Sequence, residues 1–190
     1  MTDRLKSIRG HGARQNAVRH GVGLALRNVV FTIAFPGAGG VGIPWWILTH
    51  GGALPSAVAW AGAAPLLAGA VLYFWCLGLF AVAGDGTPGP WDAPRHLVAI
   101  GPYRLVRNPI YLSALLVVLG EAWLFWSAAL LHYAVVMAIA CHLFVIGYEE
   151  PTLGRTFGAA YAEYRRAVPR WVPRLALLTH RDQERDRRAA

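Results

Sequence analysis

The chain has 190 residues, of which 56% are hydrophobic and only 15% charged, with a formal net charge of +8. Soluble domains usually hold about 45–50% apolar and about 25% charged residues, so this composition speaks against a soluble globular domain and for a membrane. The basic charge lies in blocks between apolar segments rather than along one stripe, which argues against a nucleic-acid partner, and both cysteines, Cys76 and Cys141, sit in apolar runs as buried thiols rather than as a disulfide framework.

Residues 1–28 are polar and basic, without the short apolar core and small-residue cleavage site of a secretory signal. The first span is expected over 29–49, long enough to cross about 30 Å of hydrocarbon at about 1.5 Å per residue. Pro36, Gly37, Gly39, Gly40 and Pro44 should kink it or let another helix approach closely. The second span, 57–83, is free of charge, and Gly62, Ala63, Ala64, Gly69 and Ala70 suit a packed face. Residues 29–83 thus form two spans, followed over 84–148 by a loop and a helical hairpin.

The apolar stretch 109–148 is twice the length of one span, so it reads as a hairpin turning near 121–127, with Trp123 and Trp126 at the interface. Its first arm is short, which draws the preceding "RLVRNPIY" into the inner leaflet. Beyond it, 149–175 turns amphipathic: Leu153, Phe157, Tyr161 and Tyr164 recur at helical spacing, Pro151 suits a first helical turn, and Pro169 and Pro173 close the segment. This predicts an interfacial helix, followed by a charged tail over 176–190. The fold class is therefore all-α, a polytopic membrane bundle of about four transmembrane helices plus a C-terminal interfacial helix, in a single membrane domain.

Arginine and lysine set the orientation. Six precede residue 28, three lie between the second and third spans, and nine follow residue 150, which is the whole complement of eighteen. The positive-inside rule then places both termini and the central loop in the cytoplasm, consistent with an inner-membrane protein of a bacterium.

Glu149 and Glu150 end the fourth span, where the helix macrodipole and the nearby hydrocarbon both disfavour acids. A cation must compensate, supplied by Arg104, Arg107 or a positively charged ligand; the alternative is a solvated pair that caps the next helix. His142 lies two turns earlier on the same face, without the further ligands that a metal site needs. The central loop opens with "AGDGTPGPWDAPRHL", a turn-rich path read as a linker. In "HLVAIGPYRLVRNPIY", Gly101-Pro102 makes a turn, Tyr103 and Tyr111 offer aromatic faces with hydroxyl groups, and Arg104 and Arg107 suit a carboxylate or phosphate. Taken alone, that stretch also suits headgroup anchoring.

The order of the parts is more specific than any one of them. "HLVAIGPYRLVRNPIY", a hydrophobic hairpin and then "YEEPTLGRTFGAAYAEYRRAVPRW" resemble the integral-membrane methyltransferases, which include isoprenylcysteine carboxyl methyltransferases and phospholipid N-methyltransferases. The resemblance spans residues 96–173; the first half matches only as two generic spans. It implies S-adenosylmethionine as cofactor, held by Leu97, Val98, Gly101, Tyr103, Arg107, Asn108, Pro109, Tyr111, Glu149 and Glu150, with His96 and His142 beside them. It also implies catalytic roles for Arg107, Asn108, Tyr111 and Glu150, with Glu150 or His142 as candidate base. The implied partner is a lipophilic or membrane-soluble methyl acceptor. Arg107-Asn108-Pro109 departs from the Arg-His-Pro of prenylcysteine enzymes, and Val145 stands where those of eukaryotes carry an arginine, so the resemblance is nearer the phospholipid N-methyltransferases. The rival of another class is a non-catalytic scaffold that binds anionic membrane lipid. A transporter would want polar groups at mid-bilayer, and the first two spans offer almost none.

Overall fold

A computed structural model describes residues 21–50, 59–84 and 95–173. The expectations for most of the basic N-terminus, the outer loop after the first span, the Gly/Pro path of the central loop and the charged tail lie outside these residues. Among the described residues there is no strand. The helices are α1 (Gly21–His50), α2 (Trp60–Gly84), α3 (Pro109–Leu124), α4 (Ala128–Phe144) and α5 (Glu150–Ala167). α1, α2 and the unbroken run Ala128–Ala167 are long and apolar enough to cross a membrane, and α3 is a shorter apolar helix. At about 1.5 Å per residue α3 rises only about 24 Å, the short arm expected of the hairpin.

α1 is already helical at Gly21, the first described residue, ahead of the 29 read from hydropathy, because helix formation continues into the basic flank where hydropathy has already fallen. Its prolines and glycines do not interrupt it. Ile33–Gly42, with Pro36 inside, is wound as π-helix, and the Ile43 N–H donates to Ala38 O. The next carbonyl in that pattern, Gly39 O, would need an N–H from Pro44, which has none. Tyr133 of α4 takes that place, its hydroxyl donating to Gly39 O at 2.8 Å. Nearer the other end of α1, Thr32 and Tyr73 of α2 share a hydrogen bond of 2.8 Å between their hydroxyls.

The tightest seam runs between α2 and α3. A Cβ on Gly62 would meet Gly120 O at 2.6 Å, one on Gly69 would meet Ser113 O at 2.6 Å, and one on Gly120 would meet Leu66 N at 2.5 Å. With lipid outside, apolar burial does little to hold such helices together, so close backbone contact carries more of the packing. The hairpin turns at 125–127, where Trp126 adopts φ 48° and Ser127 caps α4 by accepting from the Leu130 N–H at 3.2 Å.

No break separates α4 from α5. The π-helical turn Val145–Glu149 joins them, and Pro151, in the first turn of α5, needs no N–H partner there. The break falls instead at Gly158, with φ 53° and ψ −123°, a conformation open to glycine and costly for other residues. It interrupts the stripe of Leu153, Phe157, Tyr161 and Tyr164 expected to be continuous; beyond α5, the bent, non-helical segment 168–171 reaches the residues just before α3.

Candidate functional site

The site assembles where four pieces meet: the C-terminal end of α2, the turn 101–108, the α4–α5 junction and segment 168–171. The turn is fixed first. Gly101 has φ 57°, a backbone conformation that favours glycine, and it packs against the Leu79 side chain of α2, whose Cδ1 a Cβ there would meet at 2.8 Å. Val98 and Tyr103 are buried with Cys76 of α2, while Leu97 is half-buried. The Tyr103 ring stands edge-on to Phe80 with centroids 5.6 Å apart, and its carbonyl accepts from the Tyr164 hydroxyl at 2.7 Å. Tyr103 Oη is buried beside the Cys76 thiol without a hydrogen-bond partner. Burial, reinforced by that thiol, pushes its phenol well above the ordinary value, so it remains a proton donor.

Pro109 starts α3, buried at a position where no N–H is needed. Asn108 precedes it at the capping position, yet its side chain does not cap the helix; Nδ2 donates to Arg170 O at 3.3 Å. Tyr111, in the first turn of α3, donates from its hydroxyl to Glu149 Oε2 at 2.8 Å. Arg107 donates from Nη1 to Glu150 Oε1 at 2.7 Å, while its Nε is buried without a partner.

Adjacent in sequence, the two acids have different partners. Glu150 is buried, and Arg170 adds a fork to the bond from Arg107: Nε to Oε1 at 2.7 Å and Nη2 to Oε2 at 3.0 Å. That hydrogen-bonded carboxylate raises the Arg170 guanidinium above its ordinary pKa. Glu149 is half-buried and, among the described residues, pairs with no cation; its one side-chain partner is the Tyr111 hydroxyl. His142 is half-buried, and its Nδ1 accepts from Trp171 Nε1 at 3.0 Å, which leaves the proton of the neutral ring on Nε2.

The structure therefore brings together Arg107, Asn108, Tyr111, Glu149, Glu150 and His142 with Gly101, Tyr103, Val98, Leu97 and Pro109 around them. His96 and Arg104 are exposed, and the second guanidinium on Glu150, expected from Arg104, comes from Arg170. Arg170 and Trp171 were not among the expected site residues. The signal for them was "VPRWVPR", an arginine and a tryptophan between two prolines that end helix formation and free side chains on a non-helical segment.

With this geometry in place, the comparisons fall into line. The model of the phospholipid methyltransferase family matches residues 58–160, more than half of the chain, and the chain belongs to that family. It is an integral membrane protein, with the apolar helices that such a family requires. It is 33% identical over 90 residues to methanethiol S-methyltransferase 2 of Bradyrhizobium diazoefficiens, covering 45% of this chain and 32% of the relative. It is 39% identical over 84 residues to the cobalt-zinc-cadmium resistance protein CzcN of Cupriavidus metallidurans, covering 43% of this chain and 37% of the relative. The matched part thus spans about a third of each curated relative's length. No solved structure matches the chain.

Proposed function

We propose that the protein is an S-adenosylmethionine-dependent membrane methyltransferase that passes a methyl group to a small lipophilic nucleophile. One observation carries the reading: among the described residues, Glu149 is a half-buried acid held by a single tyrosine hydroxyl with no cation beside it, whereas its neighbour Glu150 has two. An acid in that position calls for a positively charged ligand. Buried and unpaired, Arg107 Nε and Tyr103 Oη offer two donors to a ligand that also carries a carboxylate and hydroxyls. The donor set therefore fits a sulfonium amino acid. Bound there, S-adenosylmethionine supplies an already activated methyl group.

What remains for the chain is to bind, align and exclude water. Glu149 holds the cationic end, with Tyr111 fixing its carboxyl, and Arg107 and Tyr103 face the anionic and polar groups. Neither candidate base is free. Both Glu150 oxygens receive guanidinium hydrogen bonds, and His142 Nδ1 is taken by Trp171. This favours an acceptor that loses its proton to water unaided, such as a thiol reacting as thiolate. The likeness to a methanethiol S-methyltransferase supports the same choice. A phospholipid amine is the second reading, supported by the description of the family.

The test is cofactor binding by the purified protein in detergent. S-adenosylmethionine should bind in high salt, and Glu149→Gln should lose about tenfold or more of that affinity, the weight of one charge-assisted contact. S-adenosylhomocysteine, which lacks the sulfonium charge, should lose less. Absence of cofactor binding, with anionic-lipid binding retained, would establish the scaffold instead. Labelled methyl transfer to short alkanethiols and to phosphatidylethanolamine then separates the two acceptors.

A further inference from the structure

Residues 168–171 leave the helix at Val168, with φ −115° and ψ 127°, and follow a bent, non-helical path that lacks a helix's internal hydrogen bonds. Their position depends on what their side chains and carbonyls reach. Arg170 forks onto both oxygens of Glu150, and Trp171 Nε1 donates to His142 Nδ1. In return, the Arg107 N–H donates to Pro169 O at 2.9 Å and Asn108 Nδ2 donates to Arg170 O. Two side chains of the segment thus grip α4 and α5, while its backbone is gripped by the two residues just before α3.

We propose that Arg170 and Trp171 form a latch that holds this segment across the start of α3 and so positions Arg107 and Glu150 for the cofactor site; the role rests on the function proposed above. The argument turns on Arg107. It gives Glu150 a single bond through Nη1 and keeps Nε unpaired. Without Arg170, Glu150 Oε2 loses its guanidinium partner, and a lone arginine facing a buried carboxylate turns to bind both oxygens through the fork of its planar group. That rotation spends the free Nε on Glu150. Arg170 thereby keeps Arg107 in the orientation in which it has a donor to spare, and Trp171 sets where Arg170 stands. Neither is a catalytic residue; both are positioning residues.

Cofactor affinity of the full chain in detergent, measured with S-adenosylmethionine, is read beside hydrogen exchange at the Arg107 amide. Arg170→Ala should weaken binding about tenfold or more, Arg170→Lys by an intermediate amount, and Trp171→Phe, which keeps the ring but removes the donor, about threefold. In Arg170→Ala and Trp171→Phe the Arg107 amide should exchange faster while α2 and α4 stay protected, a pattern that general loss of structure would not produce. Wild-type affinity in these variants overturns the latch. If Arg170→Ala does not fold, Trp171→Phe decides alone by the same criterion. If the unsubstituted protein binds no cofactor, the proposed function fails, and unchanged Arg107 exchange in Trp171→Phe then overturns the latch as well.

Discussion

Glu149 and Glu150 share one peptide bond and have opposite circumstances, and the difference comes from which neighbours can reach them. Glu150 sits between Arg107 and Arg170 and anchors the local structure. Glu150→Gln leaves two guanidinium groups facing an amide. Removing one member of a buried ion pair costs about 3–5 kcal/mol; the lower end applies here, because the Arg170 side chain is 30% exposed and screened by water. Unfolding of the detergent-solubilised variant by dodecyl sulfate should show that loss directly. Glu149→Gln can still accept from Tyr111 and should change stability by less than about 1 kcal/mol. The reverse order of stabilities would assign the anchoring role to Glu149. Sequence showed that an acid pair at this place needed positive charge. It did not show how the charge is divided, since the arginine that decides it lies twenty residues downstream.

At the scale of the helices, glycine is informative where backbone meets backbone. Gly62 and Gly69 stood out in sequence as part of a run of small residues, and the structure uses both against α3. Gly69→Leu should destabilise the bundle by about 3 kcal/mol, the upper end for overpacking, because Ser113 O and Val117 N are backbone atoms that cannot swing aside. The same unfolding assay reads it, and a wild-type midpoint would show that the α2–α3 seam is looser than described. Gly120, the partner on α3, could not be told from any other glycine in an apolar run. Neither could the π-helical turns of α1 and the α4–α5 junction: hydropathy records that a stretch is apolar and says nothing about the bonding pattern of its backbone. The fold-back at Gly158 was hidden for a related reason. Helical spacing of Leu153, Phe157, Tyr161 and Tyr164 survives across it in sequence, because periodicity counts residues and does not register a single reversed φ.

For the molecule as a whole, the all-α membrane bundle was legible from apolar run lengths alone. Charge placement predicts an orientation with both termini and the central loop on the cytoplasmic side. Cysteine introduced at Gly52 should react with an impermeant maleimide from outside the cell, and at Gly89 only from inside; the opposite pattern would invert the topology. Both positions lie outside the described residues, so this test is independent of the helix packing. The core of the site was also legible, because Arg107, Asn108, Tyr111 and the acid pair stand in two compact motifs. What sequence could not place was the third piece, residues 168–171, whose contacts reach back across 20 to 62 residues.

That reach has a consequence for how the protein is made. α1 to α4 can enter the bilayer as each leaves the ribosome, and Arg107 and Tyr111 can meet the acid pair once Glu150 has followed, but Glu150 lacks its second guanidinium and His142 its indole partner until Arg170 and Trp171 have cleared the exit tunnel. Completion of the centre is therefore a late event in the life of each nascent chain, and a polypeptide released before that point would be inserted with Glu150 held by Arg107 alone.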